Sequence, residues 1–407
     1  MHASSVNGPG RIGAAVMIAA LVCGGFGIGV SEFIVMGLLP RIAGDLLPET
    51  FAAHPDAALA ATGGLASAYA LGVVIGMLVT PLLIRRLSER GALLACAGSM
   101  LLWTVLTALA PSLGIALVLR FLAALTHASF IGVGAMATAH LLGSQKYGRG
   151  AAIVHGGLAV ANLLGVPVLT AFGEFASWRL VIGACAVLFA VPVIALLIVP
   201  LAPTPLAAGG SGASVGGRRF GGRRLWLTAT AAVLVASGGF AVVTYIAPVV
   251  AEVQGDRVIL TPALAMLAFG VGMNLGNFGA GWVADRAAAP TFLAVALIGV
   301  AGGALLLVPG IGAFGAAAGV LLIGVLLGGG SPAAQVLFLE ELRRFPRLAS
   351  SMPSGTANLG SFIGSLAGAG LLAGFGAAWL PVGTLVLAGL GLLVFALRGR
   401  RIGRAPH

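Results

Sequence analysis

The sequence predicts an all-α membrane protein with twelve transmembrane helices in two six-helix halves. Of the 407 residues, 59% are hydrophobic and only 8% are charged. A soluble domain carries about 25% charged residues, so this surface is suited to lipid and not to water. Basic residues fall in short clusters between apolar runs, and features of the first half recur in the second. The chain is therefore expected to be embedded in a lipid bilayer.

Apolar segments long enough to cross about 30 Å of hydrocarbon recur along the chain. The boundary between the ninth and tenth segments is drawn at Pro309–Gly310, where the apolar pattern is broken. The predicted helices are 14–39, 58–82, 92–110, 113–141, 150–172, 178–199, 225–250, 262–283, 291–309, 312–334, 349–373 and 376–397.

The distribution of Lys and Arg predicts the orientation of the chain. The segments on one side of the membrane hold 18 of these residues, and those on the other hold only Arg41, Arg179 and Arg257. By the positive-inside rule, both termini are cytoplasmic, and we expect a multi-pass protein of the cell inner (plasma) membrane. The net charge of +11 is thereby explained by topology, so no nucleic-acid partner is predicted.

A Gly-, Pro- and Arg-rich stretch at 201–224 is typical of a flexible linker. It divides the chain into an N-terminal half, 1–200, and a C-terminal half, 225–397, followed by a cytoplasmic tail, 398–407. Gly72 and Gly76 recur as Gly272 and Gly276, and the Asn162 segment recurs around Asn358. Two related membrane halves with a site between them are the architecture of a secondary transporter.

Other classes of protein receive little support from the sequence. The three cysteines lie in apolar runs without CxxC spacing, so neither a disulfide framework nor a metal site is indicated. The chain has no HExxH or P-loop motif, and no enzyme or cofactor is predicted beyond protons as the coupling ion. A polytopic membrane enzyme and a solute sensor remain alternatives from different classes.

Glu32 is the acidic residue that lies within a predicted helix rather than at its end. It is eight residues from Pro40, which corresponds to about 12 Å along the helix. An ionised carboxylate is costly at that depth, and a carboxylate that gains and loses a proton is what proton-coupled transport requires. Helical spacing places it on one face with Gly25, Gly29 and Met36. A static ion pair, or a carboxyl kept neutral by hydrogen bonds, is the alternative.

Arg120 and His127 lie seven residues apart on one face of the fourth predicted helix. Arg120 is at a depth similar to that of Glu32, so an ion pair between them is a hypothesis. A neutral His127 could bind substrate or relay a proton. Alternatively, Arg120 is a structural tether between helices and His127 a buried structural residue.

Uncharged polar residues form further stripes within the predicted helices. Hydrogen bonds between helices and the lining of a polar cavity are both compatible with them. The candidate cavity residues are Tyr69, Asn162, Thr244, Tyr245, Asn274, Asn277, Gln335 and Asn358.

Several stretches together resemble the arabinose-efflux-permease-like proteins of the drug:proton antiporter branch of the major facilitator superfamily. The segment from Gly27 to Pro40 resembles the family's helix 1 signature. Further similar stretches run through both halves: Ser67–Gly72, Arg120–His127, Ala159–Pro167, Thr244–Pro248 and Phe269–Asn277. The resemblance covers nearly the whole chain.

The resemblance implies the major facilitator fold and an alternating-access exporter that exchanges protons for sugars or drugs. A facilitator or importer of the same fold is the alternative. The first, fourth, seventh and tenth helices would line the cavity. Arg120 falls on the motif linked to proton coupling, and Gly165 and Pro167 on the antiporter motif that bends helix 5.

One departure from the family pattern concerns the loops that follow the second and eighth helices. The segment Leu82–Arg90 lacks the Asp that the superfamily places near the start of this loop. The second-half copy keeps it, in Gly281, Asp285 and Arg286. A gating role is therefore expected for the second copy.

The protein is expected to be a monomer that binds a small-molecule substrate.

Overall fold

The computed structural model describes residues 10–142, 147–199, 222–254, 259–343 and 346–398. Residues 200–221 of the linker region and tail residues 399–407 lie outside this range, as do the predicted loop cations Lys146, Arg257 and Arg344. The helices are α1 (Arg11–Leu46), α2 (Pro48–Ala53), α3 (Pro55–Ile84), α4 (Glu89–Ala108), α5 (Leu113–Ala124), α6 (His127–Leu141), α7 (Tyr147–Val160), α8 (Val166–Phe175), α9 (Trp178–Ile198), α10 (Arg223–Val243), α11 (Ile246–Gln254), α12 (Pro262–Leu306), α13 (Gly312–Glu341), α14 (Pro346–Phe375) and α15 (Leu380–Ala396). A π-helical turn, Ala161–Gly165, joins α7 to α8, and a 3₁₀ turn, Ala377–Trp379, precedes α15.

The predicted all-helical membrane fold is confirmed. Within the described ranges, 11 helical spans are long and apolar enough to cross a membrane. One of them, α12, has 45 residues and contains a non-helical break at Ala287 (φ −152°, ψ 64°). At 1.5 Å per residue, α12 is about twice as long as one crossing requires. Dividing α12 at Ala287 gives the twelve predicted crossings.

The chain folds back at this break. Gly276 precedes Ala287 and packs against the backbone of Val325 in α13, whereas Gly299 follows Ala287 and packs against Leu326. In one straight helix the two glycines would be about 35 Å apart. Because they contact adjacent residues of α13, the two parts of α12 are antiparallel neighbours.

Short polar caps and glycines define several helix ends. Ser88, Ser112, Ser177 and Thr261 each accept a hydrogen bond from a backbone N–H in the first turn of the following helix. Such caps satisfy donors that a helix start leaves unpaired. The predicted turn at Pro309–Gly310 also lies between two helices, with φ of 69° at Gly310. The tenth predicted span was too short, since α13 continues past residue 334 to Glu341.

The chain forms two compact units. The first unit is Met1–Val35 with Ala68–Ser214, and the second unit is Met36–Ser67 with Val215–His407. Their boundary therefore passes through α1 and through α3. The division into two six-helix halves at the linker stays a prediction.

The glycine repeat found in the sequence is also a repeat of contacts. In the first unit, Gly76 of α3 packs against the backbone of Leu125. In the second unit, Gly276 of α12 packs against the backbone of Val325. Both glycines and both partners are offset by 200 residues. Each glycine allows two helix backbones to approach where a side chain would keep them apart.

Candidate functional site

Glu32 lies within α1, on the face that packs against α7. Gly25 and Gly29 lie against the backbone and side chains of Val154, Leu158 and Ala161, so α1 and the end of α7 are in close contact. Glu32 follows on this face and is partly exposed, although its neighbours in α1 are buried. The predicted packed face is thus present, and it ends at a carboxylate with access to space outside the packed core.

Arg120 of α5 is buried and binds α1 through Ser31. Its Nη1 donates to Ser31 Oγ at 3.0 Å, and its Nη2 donates to the Ser31 carbonyl oxygen at 2.8 Å. Its Nε–H has no partner in the described part of the chain. Bonds from a guanidinium to oxygen are among the stronger hydrogen bonds in proteins. Arg120 therefore ties α5 to α1, as the tether alternative requires.

The hypothesis of an ion pair between Glu32 and Arg120 is not realised in this conformation. Among the described residues, no hydrogen bond or ion pair engages the Glu32 carboxylate. The two groups still interact electrostatically through space. The reason is local: the guanidinium binds the residue before Glu32, whose side chain leaves the helix in a different direction.

Tyr69 of α3 joins Arg120 to His127. The Arg120 guanidinium lies over the Tyr69 ring, 4.4 Å from its centroid. The Tyr69 hydroxyl is 3.2 Å from Nδ1 of His127. All three side chains are buried. The first unit thus collects three predicted site residues, Tyr69, Arg120 and His127, in one contact network beside Glu32.

His127 is the first residue of α6, immediately after a break in the fourth predicted helix. The break at Leu125–Thr126 was not predicted. Thr80 donates to the Leu125 carbonyl oxygen at 2.6 Å, and Thr126 donates to the Cys96 carbonyl oxygen at 3.2 Å. These hydroxyls stabilise the interruption, because they replace part of the regular helical bonding. Discontinuous helices are typical of transporter binding sites.

Asn162, Gly165 and Pro167 lie at a second irregularity. The π-helical turn is closed by a bond from the Val166 N–H to the Ala161 carbonyl oxygen, five residues back. Pro167 has no N–H to continue the ladder, which favours such an interruption. Asn162 is buried in this turn, and its Oδ1 has no partner among the described residues. π-Helical turns are frequent at functional sites.

In the second unit, Thr244 and Tyr245 lie at the break between α10 and α11. Thr244 Oγ1 and Ser365 Oγ are 2.7 Å apart, and the Tyr245 hydroxyl donates to the Ser365 carbonyl oxygen at 3.0 Å. Pro248 cannot donate to the Thr244 carbonyl, four residues back, which explains the break. Both Thr244 and Tyr245 are fully buried, so they form a neutral polar cluster with Ser365.

The remaining cavity candidates do not join this cluster through the described contacts. Asn274 and Asn358 donate from Nδ2 to backbone carbonyl oxygens of their own helices, at 2.9 and 3.0 Å. Asn277 is exposed and Gln335 is partly exposed. These bonds within their own helices satisfy part of the hydrogen-bonding capacity of the Asn274 and Asn358 side chains.

The gating candidates lie at the end of the first part of α12. Asp285 and Arg286 are exposed, and Gly281 is partly exposed. Arg286 stacks over the Trp282 ring at 4.9 Å and donates to the Trp282 carbonyl oxygen. The described contacts of Arg286 are thus local, and the gating role stays a prediction.

Three polar residues of these clusters were missed by sequence reasoning. Ser31 and Ser365 carry no signal beyond being hydroxyls in apolar runs. Glu341, which lies beyond the tenth predicted helix, is the last residue of α13, and its side chain is 7% exposed and lies 2.7 Å from Arg398 Nη2. Thr228 donates to the same carboxylate at 2.9 Å.

Polar groups and helix breaks within a bundle of membrane-spanning helices define a class of protein, the polytopic secondary transporters. In the described part of the chain, no group of three or more His, Cys, Asp or Glu side chains could hold a metal ion.

Comparison with known proteins identifies the family. Residues 21–347 match the Major Facilitator Superfamily, and the chain belongs to it. The chain is 32% identical over 388 residues to the inner membrane transport protein YdhP of Escherichia coli K12, covering 94% of this chain and 96% of YdhP. The chloramphenicol resistance protein of Streptomyces lividans is 30% identical over 272 residues, 66% of each chain.

The solved structures agree on the fold. A crystal structure of a D-xylose–proton symporter superposes with a TM-score of 0.71 at 16% sequence identity, covering 96% of this chain and 98% of the symporter. At that identity, the likeness concerns the fold alone. The protein is therefore a multi-pass membrane transporter of the major facilitator fold and not an enzyme.

Proposed function

We propose that the protein is a proton-coupled exporter of small organic solutes, such as sugars or drugs, that works by alternating access. The observation that carries the proposal is the unpaired, partly exposed Glu32 carboxylate beside the buried cation Arg120. A carboxylate in this setting can accept a proton and release it when its surroundings change. Drug:proton antiport is also supported by the family motifs around Glu32, Arg120 and Pro167.

In this proposal, Glu32 is the proton carrier and Arg120 modulates it. Tyr69, His127 and Asn162 form the polar surface around them in the first unit. Thr244 and Tyr245 are the candidate substrate-contacting residues of the second unit. The two six-helix halves would move as the alternating elements. The name of the Streptomyces relative favours a drug-like substrate.

We further propose that the protein is a monomer in the inner membrane with both termini in the cytoplasm. The bias of Lys and Arg between the predicted loops supports this orientation. The inner-membrane location in the name of YdhP is consistent with it.

The test is transport into inverted membrane vesicles with an imposed proton gradient, acidic inside. Radiolabelled chloramphenicol and arabinose serve as probes of the two substrate classes. We expect at least one probe to accumulate above its outside concentration and to leave when a protonophore collapses the gradient. Equilibration without accumulation would identify a facilitator, and accumulation only under the opposite gradient would identify an importer. Either result would contradict the proposal.

A further inference from the structure

Ser31 takes both hydrogen bonds that the buried Arg120 makes. One goes to the Ser31 hydroxyl at 3.0 Å and the other to its carbonyl oxygen at 2.8 Å. Ser31 itself is 2% exposed and Arg120 1% exposed, so water does not replace these bonds. The partner of the cation is thus the residue that directly precedes the proposed proton carrier.

This arrangement leaves the Glu32 carboxylate without a hydrogen bond or ion pair, and the Nε–H of Arg120 without a partner, in the described part of the chain. Successive side chains leave an α-helix about 100° apart. A guanidinium bound at Ser31 is therefore directed away from Glu32, although both groups remain within electrostatic range.

The surrounding titratable groups do not provide another carboxylate for Arg120. Those that interact with it electrostatically are Glu32 of α1, Tyr69 of α3 and Cys185 of α9. Tyr69 also interacts with Glu32, while its hydroxyl contacts His127, which in turn interacts with His155. Glu32 is the carboxylate in this set, so it is the natural second partner of the guanidinium.

We propose that Ser31 is a positioning residue that holds Arg120 away from Glu32 while Glu32 carries its proton. When Glu32 releases the proton to water, the guanidinium exchanges Ser31 for the new carboxylate. The O–H bond of the carboxyl group breaks, the proton passes to water, and N–H···O bonds to the carboxylate replace those to Ser31. Reprotonation reverses the exchange. The inference rests on the proposed proton coupling, which it deepens.

Removal of the Ser31 hydroxyl tests this competition. In Ser31→Ala, Arg120 loses one of its two bonds and binds the Glu32 carboxylate more readily. The proton then leaves Glu32 in more acidic solution. The loss of one charge-assisted hydrogen bond corresponds to an acid shift of about one pH unit. Ser31→Thr keeps a hydroxyl and should restore the wild-type behaviour.

The shift is measured by infrared difference spectroscopy of the purified protein in lipid nanodiscs across a pH series, without substrate. The signal is the carboxyl stretching band that disappears in Glu32→Gln. Ser129→Ala is the matched control, because Ser129 is also buried in the first unit and its hydroxyl has no partner in the described chain. Ser31→Gly removes the same hydroxyl and serves if Ser31→Ala does not fold.

The expected result is an acid-shifted midpoint for Ser31→Ala or Ser31→Gly and unchanged midpoints for Ser31→Thr and Ser129→Ala. The inference is overturned if the Ser31→Ala midpoint equals that of Ser129→Ala, or if no band assigned to Glu32 titrates. Its failure is distinct from failure of the proposed function. A shifted midpoint without gradient-driven transport would refute the coupling, whereas coupling with an unshifted midpoint would refute the role of Ser31.

Discussion

The two units differ in the charged residues that they hold within their helices. The first unit buries Arg120 within α5 and keeps Glu32 within α1. The described buried ion pair of the second unit, Glu341 with Arg398, lies at helix ends. Inside its helices, the second unit has instead the neutral cluster of Thr244, Tyr245 and Ser365. The comparison teaches that repeated packing does not require repeated chemistry, and it agrees with the proposal that proton coupling belongs to the first unit.

The two units also differ in where their helices are interrupted. In the first unit, Leu125–Thr126 interrupts the chain between α5 and α6, whereas the matching positions 325–326 lie inside the continuous α13. In the second unit, a break lies at Thr244–Tyr245, between α10 and α11. Each unit therefore has a break next to its own polar cluster, His127 in one and Tyr245 in the other.

The largest expected effect concerns the close glycine contact that occurs within each of the two units. Gly76→Val and Gly276→Val should each destabilise the protein by about 3 kcal/mol or more, because the added carbon atoms overlap backbone of the neighbouring helix. The measurement is folded yield and thermal stability by fluorescence-detected size-exclusion chromatography. Gly98→Ala and Gly279→Ala are controls, since a Cβ there meets nothing within 4 Å. Tolerance of either valine would show that the repeated packing is not equivalent.

The next effect concerns the buried pair of the second unit. Arg398→Met should lower stability by about 3 kcal/mol, because it leaves the buried Glu341 carboxylate without its cation while Thr228 still donates to it. Thermal unfolding of the purified protein measures this loss, and the double variant with Glu341→Met should recover much of it. The pH profile of transport should not move. A shifted profile would mean that the second unit also takes part in coupling.

The smallest effect compares the two buried tyrosines. Tyr69→Phe and Tyr245→Phe each remove one hydroxyl and should each cost about 1 kcal/mol. Tyr245→Phe should leave the pH profile unchanged, because its bond to Ser365 involves neutral groups. Tyr69→Phe releases His127 and should change gradient-driven transport by about fivefold. Equal pH profiles for both variants would remove the distinction between the units.

Much of the fold could be predicted from the sequence because the membrane imposes simple rules. Apolar runs of sufficient length predicted twelve crossings, and Pro309–Gly310 predicted a turn that the structure confirms. The prediction of helix ends failed where an apolar run and the helix that contains it end at different residues. α13 extends to Glu341 because Leu337 and Phe338, which follow the predicted span, pack inside the second unit.

The details of the site were less predictable, for physical reasons. Helical spacing indicated that Glu32 and Arg120 lie at similar depth. Whether the Arg120 guanidinium binds Ser31 or Glu32, however, depends on how α1 and α5 are rotated about their axes. The break before His127 has no Pro or Gly at Leu125 or Thr126. It depends on the Thr80 hydroxyl of α3 and on the Cys96 carbonyl of α4, to which Thr126 donates. By contrast, Pro248 is a signal that could have located the break between α10 and α11, and the resemblance of Gly165 and Pro167 to the antiporter motif did predict a bend in helix 5.

The central claim, that Glu32 carries the coupling proton, is tested most directly by Glu32→Gln in inverted vesicles. Two rates are compared for the probe that wild type transports: accumulation driven by a proton gradient, and exchange of labelled for unlabelled probe without a gradient. Glu49→Gln is the matched control, because Glu49 is exposed on α2. We predict that Glu32→Gln loses accumulation and retains exchange, while Glu49→Gln keeps both. Gradient-driven accumulation by Glu32→Gln at the wild-type level would contradict the account.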